Sequence, residues 1–140
     1  LVMTGNLLIQ KTLFLELNQG MENFYGDDLL ISARILEKQI PVLHIDNPVW
    51  HLGLEPSSDY MDKLMEADRM RKLMERQGQI PPDLTAIQRA YHKYKGLLPF
   101  WCLFYGLQVR SNRKKLLGNR PNMRTLDAYR LYHYVKEGRQ

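Results

Sequence analysis

"VLHIDNPVWHL" (42–52) decides how the fold is read. It holds two apolar runs of four residues, 42–45 and 49–52, separated by the turn-forming "DNP" and closed by Gly53. Short apolar runs bounded by turn residues read as β-strands. If they are strands, the chain is α/β. The opening stretch "LVMTGNLLI" (1–9) adds a third extended segment, interrupted at Gly5-Asn6. Isolated strands leave their backbone donors and acceptors unpaired. The expectation is therefore a C-terminal part of a longer protein, with sheet partners upstream of Leu1.

The rest has helical periodicity. Residues 12–17 suit a short helix closed by "NQG" (18–20). From Asp28 onward Leu29, Leu30, Ala33, Ile35 and Leu36 form an apolar face, with Arg34, Glu37 and Lys38 outside and Pro41 ending the segment. "PSSD" (56–59) starts a long amphipathic helix in which Met61, Leu64, Met65, Met70, Leu73 and Met74 recur until Gly78. Those methionines read as packing residues. Beyond Pro82 the chain reads as helical, with breaks near Gly96 and Pro99. The predicted organisation is an α/β part over 1–55, few short strands with helices, followed by a helical, basic extension over 56–140.

Hydrophobic residues make up 44% of the 140 and charged residues 25%, ordinary values for a globular chain. The one cysteine, Cys102, permits no internal disulfide and no cysteine-based metal site, which suits a reducing compartment. No stretch has the roughly 18–20 apolar residues that a spanning helix needs. The net charge of +5 is unevenly spread. Residues 1–83 carry 8 Lys/Arg against 13 Asp/Glu, and residues 84–140 carry 12 against 2. No acidic residue lies between Asp83 and Asp127. Such division marks two surfaces, the second suited to an anionic partner.

Chemistry concentrates in "YGDDLL" (25–30), where Asp27 and Asp28 stand side by side at a helix start. They read either as dipole-compatible capping residues or as an acid–base pair, since close carboxylates raise one pKa. His51 is a surface histidine or a ligand, and His44 reads as part of its strand. No Ser-His-Asp arrangement, phosphate-binding glycine loop or Cys/His zinc spacing is present.

The order "TGNLLIQKTLFLEL", "FYGDDLLISARILEKQIPVLHIDNPVWHLGLE" resembles the C-terminal half of the catalytic domain of family 2 glycosyltransferases, across residues 4–55. The ending "LLGNRPNMRTLDAYRLYHYV" (116–135) is similar to that of bacterial members. The resemblance implies a GT-A fold and transfer of a sugar from a nucleotide-sugar donor to a hydroxyl of a glycan or lipid-linked acceptor. It implies inversion, in cell-envelope polysaccharide synthesis. By the same resemblance Asp28 is the catalytic base and Asp27 its neighbouring carboxylate, replacing the usual Glu. Gly5 and Asn6 would line the donor–acceptor cleft, and His51 would serve a divalent metal, Mn²⁺ or Mg²⁺. The family's Asp-x-Asp metal motif does not occur in these 140 residues. The nucleotide, most of the metal's ligands and turnover are thus expected to depend on a missing N-terminal half.

In the tail, "LLPFWCLFYGLQVRSNRKK" (97–115) sets Trp101 and Phe104 beside Arg110, Arg113, Lys114 and Lys115. Such a segment suits a bilayer interface, the aromatics at headgroup depth and the cations on anionic lipid. Packing on the missing half explains the same residues. The expected location is cytoplasmic, with peripheral contact on the inner face of the membrane and no nucleic acid as partner. The alternative is a non-catalytic basic helical module that binds membrane surface or nucleic acid, for which the pI of about 9.4 speaks.

Overall fold

The computed structural model describes residues 6–20, 26–50, 52–53 and 55–137. Among them are seven helices and no strand: α1 (Lys11–Leu17), α2 (Asp28–Glu37), α3 (Ser57–Arg76), α4 (Ala86–Tyr94), α5 (Leu98–Gly106), α6 (Val109–Leu116) and α7 (Met123–Glu137). This overturns the α/β expectation: the chain is not a fragment of a GT-A fold. Residues 42–45 and 49–50, read as strands, are irregular, and so is 7–9 of the opening stretch. The physical reason is that no ladder partner stands beside them among the described residues. A four-residue run gains little on its own, and Pro48 removes a donor just where the second run begins.

The helices end where backbone chemistry requires. After α2, Gln39 takes a left-handed φ of 52°. The Gln39 and Ile40 amides then return to the carbonyls of Leu36 and Ile35. The same motif closes α3, where Gly78 (φ 69°) permits the turn and the Gln79 amide reaches Met74 O at 2.9 Å. Pro99 does not break α5 but sits in its first turn, where a missing N–H is harmless. Asn122 starts α7, its Oδ1 accepting from the amides of Arg124 (2.8 Å) and Thr125 (3.3 Å).

Helix α7 is the centre of the C-terminal part and packs on α3, α4, α5 and α6. Met61 of α3, Leu116 of α6 and Tyr129 of α7 form one cluster, and Leu98, Cys102 and Val135 another. On the other side of α3, Met74 and Ile80 meet Leu29, Leu30 and Ala33 of α2. That core therefore joins residues on either side of position 55. Ile31 and Ile35, on a different face of α2, pack with Leu17 of α1.

Polar residues are buried with α3, and their charges are paired. Asp68, 2% exposed, accepts from Arg71 on its own helix and from both Nε and Nη2 of Arg130 at 2.8 Å. Two turns on, Glu75 accepts from Tyr134 Oη (2.7 Å) and Gln88 Nε2 (3.0 Å) and meets His92 Nε2 at 2.7 Å. Lys72 lies 3.5 Å from the same carboxylate and 3.5 Å from the Tyr91 ring centre. Gln88, fully buried, also donates to Pro81 O and accepts the Thr85 amide. Burial pushes the Glu75 carboxyl up, but these donors outweigh it and hold its pKa below the usual 4.5.

Candidate functional site

The carboxylate pair occupies the start of α2. Gly26 precedes it with φ 101°, a conformation that L side chains rarely adopt. A Cβ at Gly26 would lie 3.6 Å from the Ala67 Cβ of α3, so the turn approaches that helix closely. Asp27 stands at the N-cap with helical backbone angles and makes no side-chain capping bond. Capping therefore does not account for Asp27. Asp28 opens the helix, and its neighbours Leu29 and Leu30 bury into the α3 side of the core.

That burial draws Asp28 partly out of water. Its pKa is raised from the ordinary 3.8, first by desolvation and then by the Asp27 charge. The backbone amide of Leu29 and the Arg71 guanidinium oppose the shift without cancelling it. Arg71 is itself 8% exposed, held by Asp68, and its Nε is buried without a hydrogen-bond partner among the described residues. A half-buried carboxyl with elevated proton affinity, next to a second carboxylate and within the field of a fixed cation, can accept a proton from an incoming hydroxyl.

Asn6 goes elsewhere. Its Nδ2 donates to Asn47 O at 3.0 Å, tying the segment before α1 to the "DNP" turn. These segments border an apolar groove of about 680 Å³ lined by Leu7, Ile9, Ile35, Ile40 and His44 among others. Neither Asp27 nor Asp28 lines it. The structure thus ties Asn6 to the turn at Asn47 and leaves the carboxylate pair outside this groove. Gly5 and His51 lie outside the described residues. Among the described residues no three His, Cys, Asp or Glu side chains converge to hold a metal ion.

In the tail, Phe104, Arg110, Arg113, Lys114 and Lys115 are exposed. Trp101 instead stacks on Tyr105 (centroids 4.8 Å apart) and packs against the Leu98–Cys102–Val135 cluster. Arg113 reaches Asp62 of α3 at 3.4 Å. No described helix is long and apolar enough to cross a membrane.

Sequence reasoning missed Arg71 and the network on α3. Its signal was the spacing of Asp68, Arg71, Lys72 and Glu75, which is the helical spacing of a single face. No protein-family model, curated protein or solved structure matches the chain.

Proposed function

We propose that this chain takes part in sugar transfer from a nucleotide-sugar donor to an acceptor hydroxyl, with Asp28 as the base. The observation that carries the reading is the placement of Asp28, half-buried at the start of α2 beside Asp27, where desolvation and the neighbouring charge favour its protonated form. The order of "TGNLLI", "YGDDLL" and "HIDNPVWHLGLE" agrees with it. An alcohol is a weak nucleophile until a positioned base takes its proton. Asp28 accepts the proton from the acceptor hydroxyl while that oxygen bonds to the anomeric carbon. The bond from that carbon to the diphosphate oxygen breaks, and configuration inverts. Asp27 raises the affinity of Asp28 for the proton and orients the hydroxyl. The donor is a nucleotide-sugar, and the acceptor a glycan or lipid-linked sugar of the cell envelope, reached from the cytoplasmic side. The nucleotide and any divalent ion would need groups other than those the described residues bring together.

The test is Asp28→Asn in a polypeptide that joins residues 1–140 to a nucleotide-binding half. Transfer should fall by about a hundredfold or more while donor affinity is retained, as loss of a general base predicts. Transfer close to the unsubstituted rate overturns the assignment. The 140 residues alone should turn over no nucleotide-sugar.

A further inference from the structure

Helix α5 shows two unlike faces. Leu98 and Cys102 are buried against Val135 of α7, and Trp101 and Tyr105 are partly covered, Tyr105 lying 5.5 Å from the Tyr132 ring. The opposite face holds Leu97, Phe100, Leu103, Phe104 and Leu107, each between 68% and 86% exposed. Their spacing of three and four residues places them in one stripe along the helix and its two caps. Five large apolar side chains so displayed form a patch on the order of several hundred Å², the size at which an apolar surface calls for a binding partner. No polar residue interrupts the stripe, and the helix is already held to α7 by its other side.

The charge that flanks the stripe in sequence selects the occupant. Lys93 and Lys95 lie just before α5, and Arg110, Lys114 and Lys115 just after it, all exposed. The sequence offers no acid between Asp83 and Asp127 to neutralise them. A second copy of the chain would bring the same excess of cations against this one, which opposes self-association through the stripe. A nucleic acid would meet the cations but offer the leucines nothing to pack on. An anionic bilayer interface satisfies both, with acyl chains for the stripe and phosphates for the cations. Nine helical residues span only about 13–14 Å, far short of a hydrocarbon core, so the helix would lie in the plane of the surface.

We propose that α5 is an interfacial anchor seating this chain on an anionic membrane, with the Leu97–Leu107 stripe in the acyl boundary and the flanking Lys and Arg residues on headgroup phosphates. The proposal rests on the α5 stripe and the cations that flank it and does not depend on the sugar-transfer reading.

Co-sedimentation of the chain with phosphatidylcholine vesicles, with and without phosphatidylglycerol, tests it. The expected result is binding to the phosphatidylglycerol vesicles that weakens in high salt and is at least tenfold weaker on phosphatidylcholine alone. Phe100→Ser with Phe104→Ser should lower it about tenfold or more. Arg110→Gln, Lys114→Gln and Lys115→Gln together should lower it about a hundredfold, roughly fivefold for each cation. Because all five positions are exposed, circular dichroism should be unchanged in both variants. Three results overturn the proposal: no binding to phosphatidylglycerol vesicles, binding indifferent to the phenylalanine pair, or a dimer seen by sedimentation velocity that the phenylalanine pair abolishes while vesicles are ignored. The last would mark α5 as a protein-binding face.

Discussion

Residues 41–50 and residues 57–137 handle their side chains in opposite ways. Every residue from 41 to 50 is exposed, among them Leu43, Ile45, Val49 and Trp50. In the second region, polar Gln88 and the hydroxyl-bearing Tyr134 are fully buried. Hydropathy alone would predict the reverse. What differs is the supply of partners. Between α3 and α7 buried polar side chains meet partners across the helix pair, as Glu75 does with Tyr134 and Asp68 with Arg130. Along 41–50 the apolar side chains enter no packed layer among the described residues. Burial here follows complementary neighbours, and hydropathy only sets what is gained once they exist.

The largest effect should come from breaking the better-compensated region at its most buried charge. Asp68→Ala removes the acceptor for Arg71 and Arg130 and leaves two cations uncompensated, one of them buried. The expected loss is about 3–5 kcal/mol of unfolding free energy, read from urea titration. Tyr134→Phe is milder, because Glu75 keeps Gln88, His92 and Lys72, and should cost about 1–3 kcal/mol at neutral pH. The sign of its pH dependence is fixed. The Glu75 pKa is lowered on folding, so its network stabilises above the unfolded value and loses that stability as pH falls through the folded one. Trp50→Ser should change stability by no more than about 0.5 kcal/mol, despite replacing the largest side chain type with a small one. A substantial loss there would mean that the 41–50 segment is packed after all.

The helices α1, α2 and α3 were legible because their apolar residues recur at helical spacing and because turn residues punctuate them. The "DNP" region was not, since two four-residue apolar runs look alike whether or not a strand stands beside them. Pro99 misled in the other direction: a proline that ends one helix can as well begin the next. The α3 network was hidden because Asp68, Arg71, Lys72 and Glu75 read as a solvated face until α4 and α7 are brought over them. At the candidate site, the Asp27-Asp28 pair was visible as adjacent carboxylates before a helix. The α3 residues that bear on it, Ala67 and Arg71, lie some forty positions away, and no local pattern connects them.

The central claim is that the start of α2 holds a carboxyl shaped to accept a proton. Titration of the Asp28 carboxyl by NMR, in the intact chain and in Asp27→Asn, tests it most directly. The predicted midpoint lies above the ordinary 3.8 and moves down when Asp27 loses its charge. Because the native value exceeds the unfolded one, ionised Asp28 costs stability above it, and Asp28→Asn should fold at least as well at neutral pH. A midpoint at or below 3.8 would contradict the claim and return the pair to an ordinary helix terminus.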